Sequence, residues 1–283
     1  MKKIGFIDYY LDEWHANNYP KWFREQALKL NLDWDVAYAW ADINKDGGLT
    51  TAEWCEKQGV TAVSSIEELV TLSDAIVVLS PDHPEQHERL ANIALKSGKP
   101  VYIDKTFAPN VSSAVSLFSL AETHHTPLFS SSALRFANEV QTFLETSTQE
   151  DIDAVLLNGP GQYANYAVHQ FEVIVTLLGT EVKRVRGLTT QSTRQLEVEY
   201  VSGQRALFYQ TEEAPFQAII TTKANSTIHV QQFSDMFLNL ITEILLFFET
   251  KEIPVQSSET IAVMKLIEAG YRAFEEQDQW IEI

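Results

Sequence analysis

Two groups of side chains in this sequence have the type and spacing for metal chemistry. Asp42-x-Asn44-x-Asp46-Gly47, followed by Glu53, satisfies the oxygen-ligand spacing of an EF-hand calcium loop, with Leu49 at the customary apolar place. His83 and His87 stand one helical turn apart at a helix start, a spacing that binds a metal when a third ligand joins. The context of each argues otherwise. The calcium-type loop is solitary, Gly48 follows Gly47 directly, and the preceding DVAYAW is strand-like where an entering helix is required. No other segment completes a site around the histidines, so no metal is assigned. His83 reads as a surface or substrate-facing residue, and His87 as a packed, hydrogen-bonded one. Cys55 is the only cysteine, which excludes a disulfide within the chain and any cysteine-based zinc site.

The elements that must position such groups alternate through the first half. Strand-like runs at 4–8, 35–40, 75–79, 100–103 and 127–130 are separated by helical stretches at 20–30, 51–58, a short one from 65, 84–98 and 112–124. Pro20 suits a first helical position and Gly59 a helix end. Ser65 to Glu68 has capping-box spacing. This rhythm specifies α/β architecture: a Rossmann-like, doubly wound parallel sheet over residues 1–131. Beyond 131 come a strand (152–157), a helix (166–178), five strand-like stretches between 182 and 230, and two closing helices (234–249 and 258–276). That order implies an α+β domain over 132–283 with a mostly antiparallel open sheet.

Ligands of doubly wound sheets bind beyond the carboxyl ends of the strands. The informative segments are therefore 8–10, 41–46, 80–83 and 104–106. Here the stretch from Asp74 to Ala108, DAIVVLSPDHPEQHERLANIALKSGKPVYIDKTFA, resembles the Gfo/Idh/MocA oxidoreductases. Ser80-Pro81 stands at the family's Thr-Pro strand exit, His87 precedes Ala91 by four residues, Gly98-Lys99 follows, and Asp104-Lys105-Thr106 stands at its Glu-Lys-Pro. Leu134-Arg135-Phe136 occupies the place of a family triplet. Asn165-Tyr166-Ala167-Val168-His169, with Leu178-Gly179 beyond it, matches the helix Asp-x-Gly-x-His.

The resemblance implies Lys105 and His169 as catalytic residues, with Lys105 polarising a hydroxyl and His169 as base. It implies Arg135, Tyr163, Asn165 and Glu172 around a substrate. A cofactor site would draw on Asp8, Tyr9, Asp42, Ser80, Pro81, His83, Asp104 and Lys105. The cofactor implied is NAD(P). Asp42, at the second strand exit, would bond a free ribose hydroxyl and repel a 2′-phosphate, which favours NAD. The chemistry is coherent: a histidine suits proton removal near neutral pH, and an ammonium stabilises a developing alkoxide. The implied function is hydride transfer to or from a sugar, polyol or related hydroxy compound. The chain is also a divergent member, because no glycine follows Gly5 at the first strand exit, where G-x-G-x-x-G would lie. Asp8, Asp12 and Glu13 put negative charge where a pyrophosphate would sit, and Tyr9, Tyr10 and Trp14 add bulk. The rival reading is a catalytically silent member acting as a ligand sensor or partner subunit. Between the two lies a shifted cofactor pose using the aromatic loop.

Composition narrows the partners. With 21 basic and 39 acidic side chains among 283 residues, the net charge is −18, which argues against nucleic acid and anionic membrane surfaces. Hydrophobic residues at 45% support a globular core and no long disordered tail. The amino-terminal stretch lacks a secretory pattern, so a cytoplasmic protein is expected. A small-molecule substrate and a homodimer or larger homo-oligomer follow from the resemblance.

Overall fold

In the computed structural model, which describes all 283 residues, the first apolar run forms β1 (Lys2–Asp8). It is followed by α1 (Trp14–Leu30), β2 (Trp34–Ala41), α2 (Thr51–Gln58), β3 (Thr61–Ala62), α3 (Ile66–Leu72) and β4 (Ala75–Val78). Then come α4 (His87–Ala91), β5 (Val101–Ile103), α5 (Val111–Thr123) and β6 (Leu128–Phe129). The strands pair in parallel in the order β3-β2-β1-β4-β5-β6, the order of a dinucleotide-binding sheet. All four residues of β4 are buried, as a central strand covered on both faces requires. At α2 the Thr50–Glu53 capping box and Gly59 in the left-handed region close the two ends.

Two helices differ from their sequence pattern. The first starts at Trp14, not at Pro20, because Glu13 caps it and supplies acceptors for its free amides. Pro20 lies inside the helix, with no N–H to offer the Ala16 carbonyl. The stretch expected as one helix over 84–98 is broken into a 3-10 turn (Pro84–Gln86), the short α4, and a second 3-10 turn (Ala94–Lys96).

The second half holds α6 (Asn138–Thr146), β7 (Ile152–Gly159), α7 (Tyr163–Leu178), β8 (Val182–Gly187), β9 (Arg194–Tyr200), β10 (Arg205–Gln210), β11 (Gln217–Thr222) and β12 (Thr227–Val230). Helices α8 (Met236–Thr250) and α9 (Ser257–Glu275) and strand β13 (Trp280–Glu282) complete it. The sheet order is β12-β11-β7-β10-β9-β8-β13, antiparallel throughout except for β7 with β10. Helices α7 and α9 pack on one face. The other carries Leu156 between Leu207 and Ile219, its partners in register on the neighbouring strands.

By contact the chain forms two units: Met1–Ser131 with Leu238–Gln256, and Ser132–Phe237 with Ser257–Ile283. This corrects the expected assignment of all of 132–283 to one domain. Most of α8 belongs to the first unit. Phe247 packs edge-on to Phe129, Phe248 packs against Trp34, and Glu249 accepts hydrogen bonds from Lys2 Nζ and Trp34 Nε1, each at 2.8 Å. No helix is long and apolar enough to cross a membrane.

Candidate functional site

The strand exits of the first unit converge on a buried, acid-rich cluster. Asp8 ends β1 and is 1% exposed. Its Oδ1 accepts from Tyr9 N at 2.7 Å and Ser80 Oγ at 3.2 Å, while its buried Oδ2 has no partner. Burial pushes its carboxyl well above the usual carboxylate range, and the charges of Glu13 and Asp104 add to the push. Ser80 also accepts from Tyr9 N, at 3.1 Å, and holds a left-handed φ of 78°, a backbone cost of order 1 kcal/mol for a residue with a Cβ.

Glu13 turns its carboxylate back onto the start of α1. One oxygen accepts from His15 N at 2.7 Å and the other from Ala16 N. Burial raises its pKa to about 7, against the opposing pull of His15 and the two amides. His15 stacks on Tyr19, with ring centroids 5.1 Å apart, and its Nδ1 bonds Asp104 at the β5 exit. Asp104 also accepts from Lys105 N at 2.8 Å and Tyr102 Oη at 3.2 Å. Burial opposes its ionisation, but His15, Lys105 and these bonds together hold its pKa below the usual value.

The Lys105 side chain is buried and its Nζ lies 3.4 Å from the Pro81 carbonyl oxygen. Tyr10 Oη lies 3.3 Å from His83 Nε2, and the Tyr9 and Tyr10 rings both pack on His83. His83 is therefore held by the aromatic loop. His87 is fully buried between the Leu79 and Phe107 carbonyls, at 2.6 and 3.0 Å, and ties the β4 exit to the segment after β5.

The loop from Asp42 to Glu53 spends its oxygens elsewhere. Arg89 donates to both oxygens of Asp42, at 3.2 and 2.8 Å. Asn44 accepts from Thr51 N at 2.8 Å, and Glu53 accepts from Thr50 N and Oγ1 at 2.8 and 2.7 Å. No group of three or more His, Cys, Asp and Glu side chains could hold a metal ion. Arg89, which engages the expected ribose acid, was not singled out in the sequence. Its partner lies far away along the chain.

In the second unit His169 lies on α7. Its Nδ1 is 2.7 Å from Ser132 Oγ, and that oxygen accepts from Leu134 N at 3.2 Å. Tyr166 and Phe216 meet the imidazole edge-on. Asn165 sits one turn before His169 on the same helix face and is exposed.

Three expected substrate neighbours have structural duties instead. Arg135 donates to Glu172 at 3.1 Å and to Glu259, forming a partly buried ionic network. Tyr163 is 4% exposed and donates to the Leu266 and Ile267 carbonyls at 3.3 and 3.1 Å, inside a ring of aromatics. Burial raises its pKa well above that of a free tyrosine. Ser132, the partner of His169, was visible only as the end of a serine tract.

A G-x-G-x-x-G that began at the end of β1 would fall on Asp8, Tyr10 and Glu13. Two first-turn amides of α1 of the kind such a loop offers to a pyrophosphate, His15 N and Ala16 N, are occupied by the Glu13 carboxylate. The residues present do not fit a pyrophosphate at this position.

The six-stranded order is that of a dinucleotide-binding fold, and a second unit with a mostly antiparallel sheet follows it. A family model described as an oxidoreductase family with an NAD-binding Rossmann fold, Gfo/Idh/MocA, matches residues 37–132. The matched stretch, about a third of the chain, begins in β2, beyond the segment where the glycines are missing. Solved structures share the fold over the whole chain. A probable dehydrogenase from Thermotoga maritima superposes with a TM-score of 0.82 at 15% identity, over 99% of this chain and 98% of that one. A putative myo-inositol dehydrogenase from Sinorhizobium meliloti gives 0.79 at 13% identity over 100% of both chains. A scyllo-inositol dehydrogenase from Lactobacillus casei, solved with NAD(H) and scyllo-inositol, gives 0.79 at 13% identity over 99% and 98%. No curated protein matches the sequence.

Proposed function

We propose that the chain acts on a small polyhydroxy compound, a sugar or a polyol such as an inositol, as an NAD(P)-linked oxidoreductase of the Gfo/Idh/MocA type. Lys105 polarises the substrate hydroxyl and His169 takes its proton. The observation that carries this reading is the Ser132–His169 pair. The serine oxygen has lone pairs for both Leu134 N–H and an Nδ1–H, and in that tautomer Nε2 is left unprotonated and able to accept a proton. Asn165, exposed on the same helix face, is the polar neighbour best placed to meet substrate. Arg135, Glu172 and Tyr163 act by holding the start of α7 and the turn Ala133–Phe136 in place.

The reading extends to assembly. Leu207, 45% exposed, continues the apolar row through Leu156 and Ile219, which supports a homodimer or larger assembly packed on that sheet face. A panel of inositols, hexoses and hydroxy acids, followed by the ring resonances of His169, tests the function. A ligand that shifts them and no longer binds His169→Ala supports the reading. A panel that leaves them unmoved opposes it.

The filled amides of α1 favour a second reading: a silent member that binds the same class of hydroxy compound as a sensor or partner subunit. It predicts ligand binding without turnover.

A further inference from the structure

The start of α1 is an anion site whose anion comes from the chain itself. A helix of this length presents unpaired N–H groups and the positive end of its dipole at its first turn. Both oxygens of Glu13 are spent on two of those N–H groups, His15 N and Ala16 N, and the carboxylate is 7% exposed. The fit is structural as well as electrostatic. The neighbouring segment is pinned by Asp12, whose side chain accepts from Asn17 Nδ2 and Leu49 N, each at 2.9 Å. Tyr10, where a glycine would let the backbone approach a phosphate, is packed on His83 and lies under Lys45 Nζ, 5.4 Å from its ring centroid. Asp8, close by, has a buried Oδ2 without a partner and offers no donor to a phosphate in its ionised form.

We infer that Glu13 stands in for the pyrophosphate at the α1 amides, so that the intact chain does not bind a dinucleotide in the pose the fold was built for. The two oxygens of one carboxyl group hold both N–H groups and leave neither to a second anion, and where Glu13 is ionised the two negative charges also repel at contact distance. A nucleotide reaching this unit either displaces Glu13 or lies elsewhere on the strand exits. The inference concerns nucleotide placement only. It is read without substrate and without Lys105 or His169 chemistry, so its failure and that of the proposed function are separable.

The test is an amide NMR titration of the full-length wild-type protein with NADH, beside two variants studied by calorimetry. Addition of millimolar NADH should leave the His15 and Ala16 amide resonances unmoved in the wild type. In Glu13→Ala and in Tyr10→Gly/Glu13→Gly those amides should shift, with affinity raised by at least about tenfold, the scale of losing a competing charged hydrogen-bond acceptor. Movement of the two amides in the wild type at micromolar NADH would overturn the inference. So would variants that fold and gain no affinity. If the variants fail to fold, the wild-type titration still decides the matter.

Discussion

Ser132 Oγ stands 2.7 Å from Nδ1 of His169, although α6, β7 and the start of α7 separate the two residues along the chain. Because the same oxygen accepts the Leu134 amide, its place is fixed by backbone and not by a freely rotating side chain. The arrangement orients the imidazole.

Ser132→Ala should therefore lower kcat by about tenfold, the worth of one hydrogen bond of ordinary strength, with little change in KM. The pH–rate profile should move as His169 loses its partner, and Ser132→Thr should restore much of the rate. A profile and kcat unchanged by Ser132→Ala would assign the serine to capping alone.

Glu13 makes stability depend on pH in a definite direction. Its pKa in the fold is raised to about 7 from an unfolded value of 4.5, chiefly by burial. The folded state thus holds the proton where the unfolded state has lost it, so stability falls as pH rises from about 4.5 to 7 and is level above. The span corresponds to about 3 kcal/mol, shared with the charges facing it, Asp8, His15 and Asp104. Glu13→Gln removes the titration. Its stability relative to wild type, followed by urea unfolding, should rise from pH 5 to pH 8. A gap that stays constant over that range would refute the assignment.

Gly270 lies on α9 against Tyr163. A Cβ there would stand 1.9 Å from the tyrosine hydroxyl and 2.9 Å from Leu196 Cδ1. Gly270→Ala should destabilise the second unit by about 2 kcal/mol through overpacking. Tyr163→Phe removes the nearest atom, so in the double variant the loss should be smaller than the sum of the singles. Additive losses in urea unfolding would show that the hydroxyl is not what the methyl group meets.

Local signals made much of this molecule legible in its sequence. The unbroken Ala75–Val78 run marked a central strand, and the Ser65 cap was readable from spacing, with Ser65 Oγ accepting from Glu68 N at 3.1 Å. In detail the Glu68 carboxylate reaches Ser64 instead of Ser65. The harder features depend on partners distant along the chain. Glutamate is not among the short side chains favoured at helix starts, so α1 was placed too late, at Pro20. Glu249 reaches Lys2 and Trp34 across nearly the whole sequence, which no pattern within α8 reveals. Tyr163 carries the residue type of a binding site yet spends its hydroxyl on carbonyls of α9, and only packing tells the two apart. The acids after β1 were visible as a departure from the glycine pattern. Their consequence, a carboxylate seated on two amides, needed the backbone.

The most direct measurement is turnover of a polyol and sugar panel with NAD and NADP by wild type, Lys105→Ala and His169→Ala, with thermal melts of all three. The account predicts a substrate in that panel, at least about a hundredfold loss of kcat/KM in each variant, of the order seen when an acid–base group is removed, and melting temperatures close to wild type. Wild-type rates in either variant, or a panel bound but never turned over, would contradict it.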